Sequence, residues 1–219
     1  MKNMKRDKGL KRIYDKLYNC FGKQGWWPAK TKLEVIIGAM LTQNTAWANV
    51  EKAIFNLRKN NFLSFHKLCK AEISELANLI KPAGYFNVKA RRLKNILNFI
   101  KKNHNGNLNK IQKENIKQLR NKLLSINGVG PETADSILLY AFDKPVFVVD
   151  AYTKRIFSRL KLISPDSSYG DIQNLFMENL PQDNGLFNEY HALIVKLGKD
   201  YCKKNKPKCN ECPIKDEHY

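Results

Sequence analysis

Three cysteines and a histidine near the C-terminal end of this 219-residue sequence have the types and spacing of metal ligands. Cys202, Cys209, Cys212 and His218 form the pattern C-x6-C-x2-C-x5-H. Closely spaced thiolate and imidazole groups bind Zn²⁺ in Cys3His sites, and thiolates also bind iron–sulfur clusters. The spacing is equally compatible with both groups, so it predicts a metal centre without deciding the metal.

A second candidate is Asp150, which follows the apolar run VFVV and precedes the helical pattern AYTKRIFSRL. Aspartate at this boundary is an excellent helix N-cap. A fixed carboxylate can also stabilise positive charge or orient an attacking water molecule. The two roles are compatible, because a cap holds its carboxylate in one orientation.

A glycine-containing turn lies upstream of Asp150, in residues 123–142 (LLSINGVGPETADSILLYAF). The pattern is typical of a helix, a tight turn and a second helix that begins at Pro131. Gly128 and Gly130 flank Val129 and permit a turn whose backbone amides point outward. Such a turn binds phosphate, although an ordinary corner between two helices has the same pattern.

All three tryptophans fall in two short stretches. Trp26 and Trp27 are in GWWPAK, and Trp47 is in TQNTAWANV. Tryptophans are usually core residues, but exposed indoles can also stack on a ligand.

Helical periodicity dominates the sequence that must position these residues. The predicted helices cover residues 5–20, 32–43, 46–59, 72–81, 87–102, 114–126, 131–142, 151–161, 169–179 and 186–201. The only strand-like run, residues 145–149, is too isolated to seed a sheet. The predicted fold class is therefore all-α.

The charge of the chain indicates a polyanionic partner. Lys and Arg number 39 against 20 acidic residues, a formal charge of +19. Nucleic acid is the first candidate, and an anionic membrane surface is the second. The longest apolar run, residues 35–41, is too short to span a bilayer. No export signal is recognised, so we expect a cytoplasmic protein with reduced cysteines, in which Cys20 and Cys69 are buried thiols.

Four separated segments together resemble one family. The hairpin with its downstream V-V-D, the stretches GAMLTQNT and GYFNVKARRL, and the cysteine tail are similar, in the same order, to the helix-hairpin-helix DNA glycosylases of the endonuclease III branch. The resemblance covers residues 26–218. It implies a monomeric, nucleoid-associated DNA repair enzyme that acts on double-stranded DNA, with Asp150 as the catalytic carboxylate.

The resemblance also implies two helical lobes. One would be a central domain of residues 32–142, with the hairpin at 123–142. The other would combine residues 1–31 and 143–219 and include a cluster loop at 202–218. In this branch the loop binds a [4Fe–4S] cluster through four cysteines. Here Cys202, Cys209 and Cys212 would bind the cluster with His218 in the fourth position, and zinc is the alternative.

One position departs from the bifunctional members of the family. They carry a lysine two residues after the second hairpin glycine, and its amine forms a Schiff base with the sugar. This chain has Glu132 there, and Lys122, Lys144 and Lys154 do not match the position. The implied enzyme is a monofunctional glycosylase that uses water and leaves the strand uncut. Glu132 could also simply complement the dipole of its helix.

The tryptophans resemble one subgroup, the endonuclease III-like 3-methyladenine glycosylases. That likeness implies a flipped, N-alkylated base stacked between Trp26 or Trp27 and Trp47, with Glu132 near the pocket. Stacked indoles attract a cationic base. Glycosylases for uracil or thymine mismatches or for oxidised bases are alternatives on the same scaffold. A non-catalytic DNA-binding protein is the alternative from another class.

The remaining DNA contacts are expected from the resemblance, from the hairpin turn and from the charge of the chain. Gln43 aligns with the residue that fills the space left by the flipped nucleotide. Gly128, Val129 and Gly130 would bind a phosphate through their backbone. The high net charge favours phosphate contact by the basic stretch that includes Lys89 and Arg91, for which a solvated helix face is the alternative. This binding should weaken steeply with salt.

Overall fold

The regular elements are helical throughout the part of the chain described by the computed structural model, residues 2–217. This confirms the all-α prediction. The chain divides into two units by its internal contacts: a central unit, Ala29–Lys144, and a terminal unit built from Met1–Pro28 and Pro145–Tyr219. His218, a predicted ligand, lies outside the described residues.

Eight helices form the central unit. They are α2 (Lys32–Leu41), α3 (Trp47–Lys59), α4 (Phe65–Lys70), α5 (Ile73–Leu79), α6 (Phe86–His104), α7 (Leu108–Gln112), α8 (Ile116–Leu124) and α9 (Pro131–Ser136). Helix α2 is buried on all sides because its sequence, KLEVIIGAML, is almost entirely apolar. The periodicity did not predict α4 and α7, whose six and five residues are too short to show one.

The hairpin of the central unit consists of α8, the turn around Gly128 and α9. Helix α9 continues directly into one π-helical stretch, Ile137–Ala141, which is fully buried and packs against α2. The apolar run ILLYA provides that buried surface. The second helix of the hairpin is thus anchored in the core of the unit, which fixes the turn at its N-terminal end.

Four α-helices and a 3-10 turn at Cys209–Glu211 form the described part of the terminal unit. The α-helices are α1 (Lys2–Phe21), α10 (Ala151–Arg159), α11 (Tyr169–Asn179) and α12 (Asn184–Asp200). The segment 145–149 has no regular secondary structure and places the Phe147 ring in the core, stacked on Phe176 with 3.8 Å between ring centroids. Because this buried segment leads directly into α10, it fixes the position of Asp150 at the start of that helix.

No described helix combines the length and the apolar character needed to cross a membrane.

Candidate functional site

Asp150 caps helix α10 in the terminal unit. Its Oδ1 accepts hydrogen bonds from the backbone N–H of Thr153 at 2.7 Å and from the Thr153 hydroxyl at 2.9 Å. Its Oδ2 lies 3.5 Å from Nε2 of His191, on helix α12. The side chain remains 12% exposed. The carboxylate is therefore fixed by three groups and still accessible.

The environment of Asp150 favours its anionic form. Burial raises the pKa of the carboxyl group, but the hydrogen bond and charge of His191 and the two hydrogen bonds from Thr153 outweigh it. The net pKa lies below the ordinary value for aspartate. A rigid, permanently charged carboxylate can stabilise a cationic transition state and hold a water molecule.

The sequence did not predict His191 as part of this site. The residue is buried, and it lies on the apolar face of α12, far from Asp150 along the chain. A lone histidine in an apolar stretch is usually a core residue, so nothing in the spacing pointed to the pairing. The fold of the terminal unit brings the two residues together.

The turn of the hairpin needs glycine at position 128 for two reasons. Its backbone has φ +93°, in the region that disfavours residues with a side chain. A Cβ at this position would also lie 2.2 Å from Cγ of Arg92, on helix α6. Gly130 differs: its φ is −93°, and an added Cβ would meet no described atom within 4 Å. Its Cα is thus open to the approach of another molecule.

Gln43 braces this turn. Its Nε2 donates to the Gly128 carbonyl at 2.9 Å and to the Thr133 hydroxyl at 3.0 Å. Its Oε1 accepts a hydrogen bond of 2.6 Å from Nη1 of Arg92. Both ends of the amide are therefore occupied. To fill the space left by a flipped nucleotide, Gln43 would first have to release these partners.

Lys89 is buried, although the sequence predicted that it lies on the surface. It is 2% exposed, and its ammonium donates 2.8 Å hydrogen bonds to the carbonyls of Leu41 and Ala83. Burial, assisted by the charge of Arg92, lowers the pKa of Lys89 to about 8. The interpretation of Lys89 as a phosphate contact is therefore wrong, because its ammonium joins two turns inside the central unit. Arg91, two residues further on, is exposed.

The aromatic residues predicted to form the base pocket are divided between the two units. In the terminal unit, the Trp26 and Trp27 rings meet edge to face with centroids 6.0 Å apart, and Nζ of Lys199 lies 5.5 Å from the Trp26 centroid. In the central unit, Trp47 Nε1 donates to Oε1 of Glu51 at 2.9 Å. Glu132 is exposed in the first turn of α9.

Tyr85 is a further exposed aromatic residue, and it was not predicted from the sequence as a site residue. It is 74% exposed, and its φ of +47° places it in the left-handed region just before helix α6. The signal that could have identified Tyr85 was its position directly after Gly84 in GYFNVKARRL. An aromatic ring held outward in this way can contact a nucleobase.

The cysteine loop packs within the terminal unit. The Sγ of Cys202 accepts a hydrogen bond of 3.3 Å from Nη1 of Arg159, which also donates to the Lys203 carbonyl. Among residues 2–217, no three His, Cys, Asp or Glu side chains are grouped closely enough to hold one metal ion. Cys69 is partly buried, whereas Cys20 is exposed, so the interpretation of Cys20 as a buried thiol is wrong.

The thiols of this unit nevertheless influence one another. Burial raises the pKa of the Cys212 thiol, a hydrogen bond from the backbone of Ile214 lowers it, and the neighbouring Cys202, Cys209 and Cys20 raise it further. Cys20 therefore lies in the electrostatic neighbourhood of the loop, although it is far away in the sequence.

Comparisons with known proteins agree with this architecture. Residues 37–182 match the model of the HhH-GPD superfamily base excision DNA repair proteins. The chain is 51% identical over 207 residues to a Methanocaldococcus jannaschii protein provisionally named a DNA repair glycosylase, which covers 94% of this chain and 93% of that protein. It is 30% identical to an endonuclease III of Sulfolobus acidocaldarius, over 83% of this chain and 78% of that protein.

Two solved structures show the likeness in three dimensions. The Helicobacter pylori 3-methyladenine DNA glycosylase MagIII, bound to 1,N6-ethenoadenine, is 32% identical with a TM-score of 0.73, over 90% of this chain and 97% of that one. A trapped endonuclease III–DNA covalent intermediate has a TM-score of 0.81 at 22% identity, over 95% of this chain and 93% of that one, and shares the fold. The hairpin, the capped aspartate and these matches together show that the chain belongs to the HhH-GPD superfamily of base excision DNA repair glycosylases.

Proposed function

We propose that this chain is a monofunctional DNA glycosylase that removes N-alkylated bases of the 3-methyladenine type from double-stranded DNA. The observation that carries the proposal is the anionic carboxylate of Asp150, fixed by Thr153 and His191 and still partly exposed. Cleavage of an N-glycosidic bond develops positive charge on the sugar, and a fixed anion stabilises that charge.

Asp150 would act on a nucleotide that has been rotated out of the duplex. As the bond to the base breaks, its carboxylate would stabilise the cationic sugar and orient a water molecule that attacks the same carbon. The proton of that water would pass to the carboxylate or to solvent. His191 would act as a positioning residue that keeps Asp150 ionised.

Water is the proposed nucleophile because the Schiff-base position is occupied by Glu132. The other lysines considered have different partners. Lys122 pairs with Glu114 at 2.6 Å, Lys144 donates to the Glu114 carbonyl, and Lys154 donates to the Ser167 carbonyl. The product would be a free base and an abasic site in an intact strand.

The preference for a cationic base rests on the tryptophans. Trp26 already attracts one cation, the Lys199 ammonium, and Glu51 adds a negative charge beside Trp47. A cationic base gains roughly 0.5–2 kcal/mol from an indole face. MagIII, a 3-methyladenine glycosylase at 32% identity, supports the same substrate class. N-alkylated purines also leave readily, so no strong general acid is required.

A single-turnover assay on a panel of duplexes tests the proposal. The duplexes would contain N-methylated purine, uracil, a thymine mismatch or an oxidised purine, and free base and strand cleavage would be scored separately. We expect release of the methylated purine, no cleavage before alkali and no covalent adduct after borohydride reduction. A borohydride-trapped adduct would disprove the monofunctional assignment, and preferential release of another base would disprove the substrate class.

The stacking role of Trp47 has a matched control on the same helix. Phe55 lies eight residues further along α3 and is 59% exposed. We expect Trp47→Ala to lower excision of the methylated purine at least tenfold more than Phe55→Ala does. Equal effects of the two substitutions would remove Trp47 from the pocket.

A further inference from the structure

The cysteine loop provides three thiols, and the structure indicates where a fourth is found. The family resemblance implies a [4Fe–4S] cluster, which is held by four protein ligands. The exposed thiol of Cys20, on helix α1, belongs to the same unit as the loop. It is not part of any motif in the sequence.

Ion pairs show which face of α1 meets the loop. Arg12, Lys16 and Cys20 are spaced four residues apart, so they lie on one face of the helix. Arg12 makes a bidentate pair with Glu217, with contacts of 2.6–2.9 Å. Lys16 contacts the other oxygen of Glu217 at 2.7 Å. Because Glu217 is 2% exposed, the end of the loop is firmly seated on this face.

An aromatic contact brings the other end of the loop to the end of α1 that carries Cys20. The ring of Phe21, the residue after Cys20, lies 5.8 Å from the ring of Tyr201, the residue before Cys202. Cys20 is therefore bracketed by two contacts between α1 and the loop, one on each side of it along the helix.

The two candidate groups require different separations of their thiolates. Thiolates around one zinc ion lie about 4 Å from one another, because each Zn–S bond is about 2.3 Å. No three donors among residues 2–217 are grouped in that way. In a [4Fe–4S] cluster each cysteine binds a different iron, so the sulfurs stand further apart. Cys20 on α1 and the three cysteines of the loop offer one thiol for each of the four irons.

The charges around the loop also fit. Each thiol loses its proton when its sulfur binds iron, and four thiolates leave the site with a net negative charge. Arg159 donates to the Cys202 sulfur, and Lys203 and Lys204 flank it. Cationic groups and hydrogen bonds to sulfur are what such a cluster requires from its surroundings.

We propose that Cys20 is the fourth ligand of a [4Fe–4S] cluster whose other ligands are Cys202, Cys209 and Cys212. His218 is then not a ligand. The proposal is independent of the base that the enzyme excises, and its tests do not measure activity.

Iron loading of the full-length chain tests this ligand set. The protein and four variants would be reconstituted without oxygen from ferric iron, sulfide and excess dithiothreitol, which reduces part of the iron, and then desalted. We expect about four irons and four sulfides per chain and a brown colour in the parent protein. Cys20→Ser and Cys209→Ser should each lose at least one iron per chain. His218→Ala and Cys69→Ser should keep the parent content, and Cys69→Ser is the control for loss of a thiol elsewhere.

Protection of the thiols gives a second test that needs no variant. The loaded and iron-free parent proteins would be treated with iodoacetamide, and the label at each cysteine would be quantified by mass spectrometry. We expect the cluster to protect Cys20 as strongly as Cys209 and to leave the labelling of Cys69 unchanged. Three results would each overturn the proposal. Cys20 could be labelled equally in the loaded and iron-free proteins, or iron could be lost from His218→Ala but not from Cys20→Ser. The parent protein could also bind zinc in place of iron and sulfide.

Discussion

Asp150 in the terminal unit and the hairpin turn in the central unit are held in place by different forces. Asp150 accepts hydrogen bonds from Thr153 and lies beside His191, and both residues lower the pKa of its carboxyl group. The turn is held by close packing of Gly128 on the Arg92 stem and by the neutral amide of Gln43. One site is defined by its protonation state and the other by its shape.

Under the proposed function, this difference gives the two regions separate tasks. A fixed charge lowers the energy of a transition state, whereas a shaped backbone turn binds the phosphate of any nucleotide. Substitutions in the terminal site should therefore change the rate of excision and leave DNA affinity unchanged. Substitutions in the turn should mainly change DNA affinity. Four experiments test this separation, in order of decreasing effect.

The largest effect is expected for Asp150→Asn. Asparagine keeps an oxygen that can cap α10 but lacks the negative charge. We expect the single-turnover rate of excision to fall by about 10³-fold or more, because the stabilised cation loses its partner. Affinity for duplex DNA, measured by fluorescence anisotropy, should change less than about twofold. Equal losses of excision and affinity would mean that Asp150 is only a structural cap.

The turn provides a matched pair of substitutions, Gly128→Ala and Gly130→Ala. Alanine at 128 combines a positive φ with a clash against Arg92, and we expect it to lower the free energy of unfolding by about 1–3 kcal/mol. Alanine at 130 meets no atom in the free protein, so its stability should change by less than about 0.5 kcal/mol.

Measurement of DNA affinity tests whether a phosphate approaches the open side of Gly130. If a phosphate approaches its Cα, the added methyl group of Gly130→Ala must weaken binding although the fold is intact. We expect about a tenfold loss, or about 1.4 kcal/mol. Chemical denaturation and anisotropy on the same samples separate the two effects. Unchanged affinity in Gly130→Ala would show that no phosphate contacts this glycine.

Lys89 and Arg91 extend the comparison to helix α6. Lys89→Met leaves the carbonyls of Leu41 and Ala83 without their donor, so we expect a loss of stability of about 1–3 kcal/mol and no change in the salt dependence of DNA binding. Arg91→Ala should leave stability unchanged and reduce the slope of log affinity against log salt by about 1. Exchange of these two phenotypes would contradict the assignment of the two side chains.

Lys89 and Arg91 also show which features of the protein could be predicted from its sequence. Periodicity predicted the long helices, and motifs placed Asp150 at a helix start. The sequence could not tell Lys89 from Arg91, because both are basic residues on one helix and only the packing of α6 decides which is buried. For the same reason His191 was missed and Cys20 was taken for a buried thiol. Both depend on contacts between segments that are far apart in the chain.

The smallest effect is expected for His191→Gln, and it appears in the pH dependence. Asp150 has a lowered pKa, so the parent rate should stay flat from pH 7 down to about pH 5, since the carboxylate is lost only at more acidic pH. Glutamine can donate a hydrogen bond but carries no charge. The pKa of Asp150 then rises, because burial is opposed by fewer groups, and the acid limb of the profile moves to higher pH.

The measurement is the single-turnover rate at each pH, divided by the rate of the same protein at pH 7, so that any general loss of activity cancels. We expect the ratio for His191→Gln at about pH 5 to fall below the parent ratio by about twofold or more. Hairpin variants such as Gly130→Ala should keep the parent profile, because no titrating group of the turn takes part in the chemistry. If substitutions in both regions shifted the acid limb of the pH profile equally, the protonation that controls the rate would not be confined to the terminal site. The separation of chemistry from binding would then be wrong.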